Sequence, residues 1–426
     1  MALIHDKLYS LLRWSEQYTK TDMVYLTRGG FWLSIGQFVS TTSSFVLAIA
    51  FANLLPAETY GTYRYVISFA GLFAIPALTG IGSALTQAVA RGYEGSFVPG
   101  LMMRLQWGTL GTLGSLGLAA YYLFFNNLEL ALAFALAAPF VPLVEISSMY
   151  GALLAGRKMF AETAWYFLIT RAVFVGILLA ALAITDNLYV VLAAYFIPQT
   201  LAQTIIMLRV LRRNPVNTAT EPETLRYGVH LSFNEVINQV GLYLDNILLF
   251  HYLGPLGVAI YTFASAPIKQ IRGAYKNVPL LALPKLSVRT VESIDDRLWL
   301  RLGQLFGIGV LISLSYIAVA PFVFRILFSE YMESVPYTQL LAVLLAFELP
   351  LTFLGAAVQS RLHVTPRSWL YLRNVPAGTF ILSALILTPL YGILGVIVGR
   401  FISTAASFAI LWGQWIMLVR REKDVR

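Results

Sequence analysis

The chain is 426 residues long, 58% hydrophobic and only 12% charged, with a mean hydropathy of +0.71. Soluble domains carry about 25% charged residues, so most of this surface is built to face hydrocarbon, and a soluble multidomain protein is excluded. The absence of cysteine rules out disulfides, iron–sulfur clusters and thiolate zinc sites. The net charge of +9 is first a topological signal in a membrane protein, not a nucleic-acid footprint.

The first 28 residues are mixed and charged. Ile4, Leu8, Leu11 and Leu12 fall near one helical face, which reads either as an amphipathic helix lying on the membrane or as a cytoplasmic tail. Apolar runs broken by short polar turns then predict twelve transmembrane helices, near 30–53, 62–84, 105–125, 130–153, 163–184, 188–208, 230–251, 258–281, 302–324, 337–359, 374–389 and 392–418. Assigning both termini and alternate loops to the cytoplasm puts 23 of the 30 basic residues there. The opposite loops hold one, Arg325. The positive-inside rule therefore places both termini in the cytoplasm of an inner membrane. Six basic residues are left inside spans: Arg64, Arg171, Lys269, Arg272, Lys276 and Arg400.

The chain also repeats itself. Arg28-Gly29-Gly30-Phe31-Trp32-Leu33-Ser34 aligns with Arg226-Tyr227-Gly228-Val229-His230-Leu231-Ser232 at an offset of 198, and Tyr63 with Tyr261 at the same offset. Gly151-Ala152 and Arg157 match Gly355-Ala356 and Arg361 at an offset of 204. This organises the protein as a six-helix half over 1–208, a basic cytoplasmic linker over 209–229 and a second six-helix half over 230–426. Parallel halves of this kind place a substrate site between them. The expected fold is all-α and polytopic, with about twelve helices around a central cavity.

Two turn motifs make the sequence recognisable. Leu54-Leu55-Pro56-Ala57-Glu58-Thr59-Tyr60-Gly61-Thr62-Tyr63 follows the first span, and Gly80-Ile81-Gly82-Ser83-Ala84-Leu85, with Arg91 beyond, closes the second. Asp245, Leu253-Gly254, Tyr261 and Ala264 stand in the other half. Over essentially the whole chain this resembles the polysaccharide-biosynthesis flippases of the multidrug/oligosaccharidyl-lipid/polysaccharide exporter superfamily. The resemblance implies a transporter, not an enzyme, in a bacterial or archaeal plasma membrane. It would carry a lipid-linked glycan amid membrane lipids and work beside glycosyltransferases and a polymerase. No nucleic acid and no cofactor is implied. Pro56, Tyr60, Gly61 and Tyr63 are assigned to folding, with the two tyrosines at interface depth.

Polar residues inside the spans are the informative ones, because exposing them to lipid is costly. His230, Asn234, Asn238 and Asp245 fall within about 80° of arc on the seventh helix, widened by Glu235 and Gln239. Gln37, Ser40, Thr41 and Ser44 form the matching stripe on the first, with Gln37 aligned to Glu235 by the repeat. Interhelical hydrogen bonding and a water-filled cavity are the two readings of these stripes. Lys269, Arg272 and Lys276 share one face of the eighth helix within about 60°, and Lys269 lies roughly 16 Å deep at 1.5 Å per residue. Lys276 is also within snorkelling reach of the interface. Asp245, Glu235 and Glu145 are the coupling or gating carboxylates, or else static partners of Lys269 or Arg171. The four histidines, His5, His230, His251 and His363, show no metal-ligand spacing, so no metal site is expected.

The cationic face of Lys269, Arg272 and Lys276, with Arg64, Arg171 and Arg400 as further lining, invites an anionic substrate. A polyprenyl-pyrophosphate-linked oligosaccharide moved from the cytoplasmic to the outer leaflet by alternating access fits it. A cation-coupled drug or metabolite exporter of the same superfamily is the alternative and would want an acidic cavity. A membrane oligosaccharide polymerase or ligase would want a larger external loop than the dozen or so residues near 325–337.

Overall fold

The computed structural model describes residues 23–275, 286, 291–361 and 369–424, and every regular element among them is helical. The N-terminal segment up to residue 22 lies outside the described residues. Helix α1, Met23–Leu54, is the first span and starts seven residues earlier than its apolar run. Pro56 leads into α2, Ala57–Phe73, which continues through a short turn into α3, Gly80–Ala90. The two are bent by 48° at Leu78, whose φ is +55°. The third span is α4, Phe97–Phe124. The fourth is broken into α5 (Leu128–Ala137), α6 (Phe140–Ser147) and α7 (Tyr150–Gly156). Then come α8, Phe160–Ile184, and α9, Leu188–Arg213. Asn127 and Asn187 cap α5 and α9 by accepting from Leu130 N–H and from Tyr189 and Val190 N–H, which satisfies donors that a helix start leaves free.

Helix α10, Glu223–Tyr275, holds the seventh and eighth spans in one 53-residue run broken at Gly254 (φ 70°, ψ −172°). Only glycine adopts that backbone without strain. The second half continues with α11 (Val291–Leu327), α12 (Val335–Val343), α13 (Leu345–Gln359), the short α14 (Trp369–Leu372), α15 (Val375–Tyr391) and α16 (Ile393–Asp424). Eight helices among the described residues are long and apolar enough to cross a membrane, nine with the bent α2–α3 pair. Splitting α10 at Gly254 and adding glycine-rich α4 and the 17-residue α15 gives twelve passes, each on an expected span.

The halves meet along α2–α3 and α10, on both sides of the Gly254 break. A methyl group at Gly61 would lie 1.9 Å from the Pro255 carbonyl oxygen, so only glycine allows that approach. Midway, Asn246 Nδ2 donates to Ser68 Oγ at 2.9 Å. Nearer the linker, Gly80 N–H donates to Ser232 Oγ at 3.0 Å. Between α1 and the second arm of α10, a methyl added at Gly273 would meet Thr41 and Gln37 at ordinary contact distances of 3.6 and 3.8 Å.

The linker itself is short and docked. Residues 214–222 separate α9 from α10, and Arg157 holds them by donating to Asn214 O and Pro215 O while its guanidinium forks onto Glu94 at 2.6 Å and 2.6 Å. Gly95 N–H donates to Ala219 O, Glu221 N–H to Ser96 Oγ, and Arg91 pairs with Glu221.

Candidate substrate site

Three carboxylates inside the spans are each matched to an arginine. Asp245, 4% exposed, accepts from Arg400 Nη2 at 2.8 Å and from Asn246 N–H at 2.9 Å. Arg400 also lies 3.8 Å over the Phe380 ring. The partner of Asp245 is therefore Arg400, in place of the expected Lys269 or Arg171. Arg272 pairs with Glu348. Glu145 pairs with Arg104 at 2.6 Å, again instead of Lys269 or Arg171.

Arg104 was not expected inside a span. The sequence places it at the end of a loop, because apolar density rises only after it, yet α4 begins at Phe97. Its side chain is 4% exposed and donates from Nε to Ala77 O at 2.9 Å. Arg104 thus satisfies a carbonyl freed where the second span bends, and Glu145 neutralises it there.

Lys269 stands apart. Residues 261–268 are buried without interruption, then Lys269 is exposed although Asp245, Arg64, Arg400 and Arg272 all act on it electrostatically. Lys269 is thus a deep cation with an accessible side chain, set among other charges of both halves. Arg64 lies on the other side, among Tyr60, Tyr63, Tyr195 and Asp245, with its Nε buried and without a hydrogen-bond partner. Arg171 donates to Ser43 Oγ and Ser44 Oγ at 2.6 Å each, using the hydroxyl stripe of α1, and acts electrostatically on Tyr195. Among the described residues, Arg64, Arg171 and Lys269 make no ion pair within 4 Å.

The remaining expected lining divides. Asn238 Nδ2 donates to Asn374 Oδ1 at 2.8 Å, and Asn374 Nδ2 to Asn234 Oδ1 at 2.9 Å, so these amides tie the seventh span to the eleventh. Gln37 donates within its own helix to Thr41. Glu235 is exposed and makes no ion pair among the described residues. Lys276 lies outside the described residues. Tyr195 and Tyr243, which no motif flagged, join Arg64 and Glu145 electrostatically.

A family model described as polysaccharide biosynthesis protein matches residues 26–276. The chain belongs to that family. No curated protein matches it. Solved structures share its fold: a MATE transporter in complex with MaD5 is 14% identical with a TM-score of 0.63, covering 96% of this chain and 98% of that one. The lipid II flippase MurJ in an inward closed conformation is 12% identical with a TM-score of 0.61, covering 90% and 89%. An outward-facing multidrug resistance MATE transporter of the MOP superfamily is 17% identical with a TM-score of 0.59, covering 93% and 97%. This family member is accordingly an all-α, multi-pass membrane protein of two related six-helix halves.

Proposed function

We propose that the protein is a flippase that carries polyprenyl-pyrophosphate-linked oligosaccharide repeat units from the cytoplasmic to the outer leaflet by alternating access of its halves. The observation that carries this reading is the charge left over at mid-membrane. Once Asp245, Glu145 and Glu348 are each matched to an arginine, Lys269, Arg64 and Arg171 remain without a counter-ion of their own. Cations within the spans that lack a counter-ion attract an anion, and a substrate diphosphate supplies one. The family match and the MurJ likeness support a lipid-linked cargo.

The MATE likeness favours the exporter alternative at the level of fold only. A cationic drug would meet a cleft whose unpaired groups repel it. Moving two negative charges outward across 100 mV, inside negative, is favourable by about 4.6 kcal/mol, so the membrane potential contributes to the drive.

Replacing Lys269 by Gln should strongly lower the lipid-linked glycan accessible at the outer leaflet at unchanged protein level, whereas Lys269→Arg should retain part of the activity, the fork being an imperfect substitute for an ammonium. Wild-type export by a Lys269→Gln, Arg64→Gln double variant would return these cations to a structural role. Orientation has its own test: alkaline-phosphatase fusions after Asn127 and Asp186 should be active, and those after Arg157 and Asn217 inactive.

A further inference from the structure

At the end of the bundle opposite the linker, aromatic rings from the two halves close over the cationic site. Phe51 of α1 and Tyr60 and Tyr63 of α2 come from the first half. Phe263 of α10, Phe328 and Tyr331 come from the second. Tyr60 stacks on Phe263 with centroids 4.5 Å apart and planes 19° apart, and Phe263 meets Tyr331 at 4.2 Å. Phe51 stands 5.1 Å from Tyr60 and 5.0 Å from Tyr63. At the rim, Asn53 Nδ2 donates to Leu327 O at 2.9 Å across the halves. Phe263 and Phe328 are fully buried and Tyr331 is 2% exposed. Tyr60 and Tyr63 are buried in this cluster, 4% and 3% exposed. Arg64 lies one turn along α2 from Tyr60, so the cluster sits directly over the site.

One atom in the cluster is out of place. The Tyr331 hydroxyl is buried with no hydrogen-bond partner. Stacked rings favour the joined state, while an unpaired buried hydroxyl opposes it and regains water once the halves part. We infer that this aromatic cluster is the gate at the outer end of the transport path, and that the Tyr331 hydroxyl keeps it from locking shut. The inference rests on the alternating-access reading given above. Two states separated by a small free energy are what such a gate needs, and a cluster of phenylalanines alone would be biased toward closure.

The cysteine-free chain permits a direct test. Ser265 lies one turn outward of Lys269 on the same helical face and is 4% exposed. In a Ser265→Cys background, a membrane-impermeant thiol reagent added to intact cells reads how often the gate is open. Tyr331→Phe should slow labelling about 5-fold to 100-fold, the range set by removing an unpaired buried hydroxyl, and slow glycan export with it. Phe263→Ala, which removes the central ring, should speed labelling. Protein level and melting temperature are measured alongside. Labelling unchanged by Tyr331→Phe, or absent even with Phe263→Ala, overturns the gate. Because labelling requires no glycan, a gate that responds in a protein that moves no lipid-linked glycan would sink the cargo assignment alone.

Discussion

The Asp245–Arg400 pair makes a quantitative demand. Asp245 has a side chain 5% exposed and Arg400 one 27% exposed, with Lys269, Arg64 and Arg272 nearby. Asp245→Asn keeps the shape and removes the charge, leaving Arg400 uncompensated beside three further cations. Breaking a buried pair from one side costs about 3–5 kcal/mol, and the partial exposure of Arg400 points to the lower end, about 3 kcal/mol. For a half of roughly 200 residues melting as a unit, that corresponds to a fall of about 6–12 °C. Adding Arg400→Met removes the stranded cation, keeps an apolar stem on Phe380, and should recover at least half of the loss, because pairs replaced on both sides are often nearly neutral. Thermal unfolding of the purified protein in detergent reads all three variants. An unshifted Asp245→Asn, or a double variant that falls by the sum of the two singles, would refute the pair as a coupled unit.

Other outcomes follow from neighbouring contacts. Glu348→Gln should lower stability and Glu348→Gln with Arg272→Gln should restore it, by the same melting assay; a double variant as unstable as the single would instead give Arg272 a direct role in the cleft. Gly61→Ala forces a methyl to 1.9 Å from Pro255 O, so it should cost at least about 1–3 kcal/mol and raise outer-end cysteine labelling; no change in either would contradict the close approach. At the linker, hydrogen bonds from Arg157 hold the Glu94 carboxyl below the usual carboxylate range. A depressed value means the stabilisation is fully present above the ordinary glutamate pKa of about 4.3 and lost as pH falls through the lower folded value. The protection of the Gly95 and Asn217 amides against exchange, relative to the intrinsic rate at each pH, should therefore fall in acid, and Glu94→Gln should give the lower protection already at pH 7.

What the sequence could say about the fold was carried by period and composition. Twelve apolar runs give twelve helical passes because a backbone in lipid must satisfy its own hydrogen bonds. Where that reading slipped, a local signal was overridden by tertiary contact. Arg104 looked like a loop residue because charge normally ends a span, yet a bent second helix with a free carbonyl at Ala77 gave it a buried partner. Asn234 and Asn238 stood between two readings, cavity lining and interhelical bonding, and their bonds to Asn374, 140 and 136 residues away, show the second. Pairings over such separations leave no trace in spacing along one helix, and neither does the aromatic closure formed by Tyr60 and Phe263.

The repeat accounts for the packing of the two halves but not for the positions of the cations. At the offset of 198, Tyr63 matches Tyr261, and both are buried, each 3% exposed. Lys269, by contrast, falls on Gly71, Arg64 on Thr262, Arg272 on Ala74 and Asp245 on Leu47. Every charged residue of the cleft compared in this way meets an uncharged counterpart. Gly71 lets the Tyr243 ring approach so closely that a methyl there would lie 2.3 Å from it, which seals one seam between the halves. The same level of the other half carries Lys269, which stands exposed. Packing is what the two halves share, and it reads from the repeat. Charge is where they part: Lys269 and Arg272 stand where the first half has Gly71 and Ala74, and Arg64 where the second has Thr262.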